Sequence, residues 1–192
     1  VQKVSYQGGV IIHSAAGGKI TKVTDGGTYW KCEHDGIDDF VLNDQVLCQV
    51  FKGGKIKRYW RLATSAGEGF VNLSKTKAES NSDIPEVGDE IIQLGNQTNT
   101  ARQSAHIVNV IGENAPHTAY LSGINSFTLV DKEVLRLGNL EGIVDKAFGA
   151  LKDFGLYANN AYLKGVFQLT SGKTIEQAIQ ENTDFLGGNI TN

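Results

Sequence analysis

GGTYWKCEHDGIDDFVLNDQVLCQVFKGGKIKRYWRLA, residues 26–63, decides the fold class. Three short runs rich in β-branched and aromatic residues, Tyr29–His34, Gln45–Phe51 and Ile56–Thr64, lie between Gly-Gly doublets and an Asp-rich turn. Strands of that length separated by glycine turns predict antiparallel pairing in a sandwich or a small barrel. Because strand side chains alternate, Trp30, Cys32 and His34 share one face, opposite Tyr29, Lys31 and Glu33. In the next run Ile56, Trp60 and Leu62 fall together, opposite Lys57, Tyr59 and Arg61. Both tryptophans are therefore expected in the core, and Tyr29, Tyr59 and Arg61 on the wet face. Arg58 lies on the inward face and is expected to snorkel from a strand end.

The pattern extends in both directions. Four of the five Gly-Gly doublets fall within the first 54 residues, and further strand-like runs lie at Val10–His13, Lys19–Thr24, Phe70–Leu73, Glu90–Leu94, Ala105–Ile111 and Ser126–Val130. This predicts a mainly β body over 1–135, with a candidate sub-boundary near 85 after the polar loop SKTKAESNSDIPE at 74–86. LNDQVLCQV at 42–50 echoes VGDEIIQLG at 87–95, each a turn in which Asp44 or Asp89 bonds backbone amides before a strand. Residues 136–170 are punctuated by Gly138, Gly142, Gly149, Gly155 and Gly165, and are expected to pack as irregular turns against a scaffold. From 171 the character changes again. Thr174 and Gln177 have capping-box spacing, which predicts a short helix carrying Ile175, Ala178 and Ile179 on one side. Ile175 and Asn182 are then spaced as heptad a positions, the onset of a coiled coil.

Composition narrows the function classes. Hydrophobic residues make up 40% and charged residues 20%, near globular averages. A net charge of −3 lacks the basic footprint of a duplex-binding protein, and no apolar run is long enough to span a membrane. No nucleic-acid or membrane partner is expected. Met is absent throughout, so a piece of a longer polypeptide is expected. Cys32 and Cys48 form no CxxC pair and His13, His34, His106 and His117 are scattered, so free, partly buried thiols and no metal centre are expected.

Several constellations bear on chemistry. Cys32 and His34 share a face with Trp30, which suits packing rather than nucleophilic catalysis. Asp35, Asp38 and Asp39, and Asp83, Glu86, Asp89 and Glu90, are acid groups from which a glycosidase pair would have to come; solvated turn acids are the plainer reading. Lys52, Lys55, Lys57, Arg58 and Arg61 around Tyr59 form a basic hairpin without phosphate-loop spacing. An outward Tyr29 and Tyr59 with Arg61 beside them would offer aromatic faces to a sugar ring. These three are the candidate carbohydrate contacts; no catalytic residue and no cofactor is assigned.

DQVLCQVFKGGKIKRYWRLATSAGEGFVNLSKT at 44–76, PEVGDEIIQLGNQTNTARQSAHIV at 85–108, YLSGINSFTL at 120–129 and RLGNLEGIVDKAFGALKDFGLYANNAYLKG at 136–165 occur in that order. The combination resembles the minor tail and tail-fibre structural proteins of phages and prophages of gut Bacteroidetes. The resemblance implies a virion part made in the bacterial host cytoplasm, in the tail, baseplate or tail fibre, with no enzymatic activity. It implies other virion subunits as partners, host surface glycan as a further one, and a homotrimer in the full-length polypeptide.

Overall fold

The computed structural model describes residues 3–7, 10–37, 39–52, 54–162, 164, 166, 171–175 and 177–180, the first of these segments by backbone alone. It divides into two compact units, 1–159 and 160–192.

The first unit is built from antiparallel strands in two layers. β3 (Gly17–Asp25), β4 (Tyr29–His34), β7 (Phe70–Ala78), β6 (Lys55–Gly67), β5 (Asp44–Lys52) and β8 (Glu90–Asn96) close into a six-stranded barrel in that order. The second layer is a six-stranded sheet. Its order is β1 (Lys3–Gln7), β2 (Val10–Ser14), β9 (Ala105–Asn109), β10 (His117–Leu121), β11 (Glu133–Asn139) and β14 (Phe154–Ala158). β12 (Val144–Asp145) and β13 (Gly149–Ala150) form a separate ribbon. Of the two forms expected, the small barrel is the one observed.

Two apolar cores result. Ile20, Cys32, Phe40, Val46, Cys48, Tyr59, Val71, Leu73 and Ile91 fill the barrel. Leu47, Trp60, Ile92, Leu94, Ala105, Ala119, Leu121 and Ile124 lie where the barrel wall meets the sheet, with Ile12, Ile107, Phe127 and Leu129 packed around them. Strands β5, β6 and β8 therefore bury both faces. This overturns the expected sidedness of β6: Trp60 does enter a core, edge-on to Phe127 at 5.6 Å, but Tyr59 enters the other one. The one-wet-face assumption fails because a barrel wall covered by a second layer has no wet face. Ile56, expected inside, lies in the exposed hairpin end. Trp30 is only partly buried, with the Lys75 ammonium 3.9 Å above its ring.

Arg58 does not snorkel from a strand end. It sits within β6 and donates from Nε and Nη2 to Glu79, at 3.0 and 3.1 Å, and from Nη1 to Gln49 at 2.6 Å. The polar loop after β7 lies along β6, Glu79 N donating to Trp60 O and Asp83 N to Arg58 O, both at 2.8 Å. No unit boundary falls near 85. Gly95, at φ +106°, lets β8 pass the 124 turn: a Cβ there would sit 2.4 Å from Ile124 O.

Residues 136–158 are more regular than expected. The boundary placed at 135 cuts through β11, whose pairing with β14 runs from Leu135↔Ala158 to Asn139↔Phe154. Glycine did not break these strands, because Gly138 faces Gly155 across the ladder and a neighbouring strand supplies the order. Gly138 is at φ +123°, and a Cβ there would meet Pro116 O at 2.5 Å.

In the second unit the expected capping box is present: Gln177 N donates to Thr174 Oγ1 at 3.1 Å and Thr174 N to Gln177 Oε1 at 2.8 Å. Helical backbone follows at 175 and 177–180. Asn182, and with it the heptad reading, lies outside the described residues.

Candidate functional site

The three residues expected to contact carbohydrate do not form a platform. Tyr59 is fully buried, its hydroxyl donating to Asp89 Oδ2 at 3.1 Å. Arg61 is buried as well. Its guanidinium donates to the carbonyls of Ser74, Lys75, Ser82 and Asp83 at 2.8–3.2 Å, pinning the loop over the barrel. Tyr29 is half-buried and its ring covers Gly26, where a Cβ would meet it at 2.3 Å. On β6 the expected wet face is thus the barrel interior, whereas on β4 the expected core residue Cys32 is the one that faces inward.

That interior is charged at both ends, and the two turn aspartates build it in the same way. Val41 N donates to Asp44 Oδ2 and Glu86 N to Asp89 Oδ2, each at 2.8 Å and each from the residue three positions earlier. This is the backbone-binding role expected of both. Each carboxylate then meets a cation. Arg102 donates to both oxygens of Asp44, at 2.9 and 2.7 Å, and Asn96 Nδ2 adds a bond at 2.8 Å. Lys57 Nζ lies 2.7 Å from Asp89 Oδ2. A buried carboxylate is tolerated only with such pairing.

Of the remaining acids of 83–90, Glu90 is exposed, while Glu86 and Asp83 are engaged. Glu86 contacts Lys52 at 2.7 Å and Lys57 at 3.1 Å, and these hydrogen bonds hold its carboxyl down to about 2. Asp83 Oδ2 accepts from Arg58 N at 2.8 Å. A general acid needs its carboxyl pushed up by an apolar or like-charged setting; Glu86 has the opposite one. In the first acid group Asp35 accepts from Lys19 N at 2.7 Å and Asp39 from Gly69 N at 3.4 Å, while Asp38 lies outside the described residues. The basic hairpin is largely neutralised by the same contacts, since Lys52, Lys57 and Arg58 face Glu86, Asp89 and Glu79. Cys32 and Cys48 are free inside the barrel, where burial raises both thiols to about 12. Among the described residues no three His, Cys, Asp or Glu side chains are grouped to hold a metal ion, and no helix is long and apolar enough to cross a membrane.

Two surfaces remain. At one end of the barrel a groove of about 830 Å³ is walled by Phe51, Ile56, Val87 and Ile111, with Lys19, Lys52 and Glu90 among its polar lining. Phe51 is 78% exposed.

The other surface is the outer face of the six-stranded sheet, which the strand-by-strand reading missed. Opposed residues in an antiparallel ladder share a face. One row runs His13, His106, Tyr120, Leu135, Ala158, and the next Ile11, Val108, Thr118, Leu137, Leu156. None of the ten is Asp, Glu, Lys or Arg. Tyr120, Leu137 and Leu156 are 49%, 55% and 59% exposed, and Phe154 continues the face at 70%. His106 stacks between its neighbours, 5.2 Å from the His13 ring and 4.4 Å from Tyr120, and donates or accepts at Thr118 Oγ1 over 2.7 Å. Burial, then the nearby His13, lowers its pKa. The signal was present in Leu135/Leu137 and Leu156, but only strand order places them beside Ile11 and Val108.

No family model, curated protein or solved structure matches this chain.

Proposed function

We propose that this chain is a structural module of a phage or prophage virion, part of the tail, baseplate or tail fibre, built in the host cytoplasm and incorporated with other virion subunits. The observation that carries the reading is the distribution of polarity. The two buried aspartates of the barrel are matched to cations from within, which makes a rigid block. The uncharged apolar side chains, in contrast, are turned outward on an open sheet. A module with its charge satisfied internally and its apolar surface exposed is suited to burial in a larger assembly. The resemblance of the ordered segments to tail structural proteins points the same way, and a homotrimer would then form through polypeptide beyond the short helix. Mass spectrometry and immunogold microscopy of virions released by prophage induction test this. The chain is expected on the tail; its confinement to the soluble lysate would overturn the reading.

A second reading, a glycan-binding or glycan-degrading tail component, is favoured by one observation, the barrel-end groove. Its exposed Phe51 offers a flat apolar face beside Lys19, Lys52 and Glu90, the arrangement that stacks on a sugar ring while bonding its hydroxyls. Host glycans on an array, scored with the native chain and Phe51→Ala, test binding there. Release of reducing ends from the same glycans scores degradation.

A further inference from the structure

We infer that the outer face of the six-stranded sheet is a self-association surface, covered by the same face of a second copy of this chain in a two-fold arrangement. This goes beyond the virion reading and requires nothing of a virion.

The argument begins with what the face lacks. Its two rows carry no Asp, Glu, Lys or Arg, so it offers no charge complementarity to a polar or charged partner. A surface of this kind is covered by apolar area or left as an aggregation liability. Its shape narrows the occupant further. Side chains stand on a sheet of short antiparallel strands, and the best complement to such a sheet is another of the same width and twist, stacked about 10 Å away with strands turned roughly 30°. A second copy supplies that surface, equally uncharged and always at equal concentration.

The extent is sufficient. The five strands that carry these rows, about 4.8 Å apart and each about 17 Å long, give a flat footprint of roughly 400 Å². Side-chain relief raises the accessible area toward the ~800 Å² per partner of a stable interface. A two-fold axis near Thr118 would place the His106–Tyr120 stack of each copy against Leu137 and Leu156 of the other, and the uncharged Thr118 itself meets no repulsion there. Such an isologous contact closes at two copies.

Sedimentation equilibrium of the full 192-residue chain across a wide concentration range tests this, with the same measurement on single variants. The native chain is expected to approach twice its 20.7 kDa mass. Leu137→Lys and Leu156→Lys each place a charge in the apposed faces and are expected to weaken the dimer at least tenfold. Ile84→Lys, on the barrel loop, is expected to leave it unchanged. Both face positions are exposed, and circular dichroism confirms that each variant is folded. A chain that stays monomeric at every concentration overturns the proposal. So does a trimer, which would indicate assembly through the C-terminal segment, or a dimer that withstands both face substitutions.

Discussion

The charged ends of the barrel interior and the outer face of the sheet invert the usual placement of polar and apolar groups, and the inversion is informative. Inside the barrel lie Asp44, Asp89, Lys57 and Arg61, each buried. Outside the sheet lie Tyr120, Leu137, Leu156 and Phe154, each exposed. The interior groups are stable where they are because each is matched: carboxylate to cation at both ends, guanidinium to four backbone carbonyls. Among the described residues, the exterior groups contact their row neighbours and remain largely exposed. Charge satisfied within a fold is architecture, whereas apolar area left outside it invites assembly.

The sharpest way to break this comparison is to unbalance the interior. Asp89→Ala leaves the buried Lys57 ammonium with only the exposed Glu86 carboxylate, 3.1 Å away, and removes the acceptor of Tyr59. A loss of about 3–5 kcal/mol is expected in urea unfolding. Asp89→Leu combined with Lys57→Met should recover most of that loss, since apolar residues of similar volume often replace a buried pair without penalty. A single variant as stable as the native chain would show that the pair is not desolvated.

Next in size is the seam joining the two regions. Trp60→Ala opens a cavity between barrel and sheet, with an expected loss again approaching ~3–5 kcal/mol. Cys32 and Cys48 report on the barrel separately. With thiols raised to about 12, neither is expected to react with a thiol reagent at neutral pH until the chain unfolds. Fast labelling in the native state would mean that the barrel opens readily.

Acid should distinguish the regions by pH window. Glu86 has its carboxyl lowered from 4.5 to about 2 in the folded chain. Its contribution is therefore present above 4.5 and lost as pH falls from there toward 2. His106 is lowered from 6.5, so the unfolded chain takes up the proton first, and stability falls as pH drops through 6.5 and below. Thermal midpoints measured against pH should lose the first component in Glu86→Gln and the second in His106→Gln. The smallest effect is expected at the exposed Lys22–Glu33 pair, 3.1 Å apart, where Lys22→Ala should change stability by less than ~1 kcal/mol.

Local chemistry was legible without any structure. Glycine turns and β-branched runs predicted the strands of the barrel, and the spacing of Thr174 and Gln177 predicted a capping box that forms as expected. The Asp44 and Asp89 echo predicted carboxylates bonding turn amides, and both do so from the same offset. These features depend on residues within a few positions of one another, where sequence distance and spatial distance agree.

What sequence alone did not determine is which side of each strand meets water. Period two sorts side chains onto two faces, yet it does not say whether either is covered. For β6 the second layer covers one face and barrel closure the other, so Tyr59 and Arg61 moved from a sugar-binding surface into the interior. In β11 and β14 glycine suggested broken chain, but pairing with a neighbour restored the strands. The outer face exists only because β2, β9, β10, β11 and β14 stand side by side, and residues from 11 to 158 contribute to it. Strand order is set by long-range pairing and closure, and that lies in the tertiary structure alone.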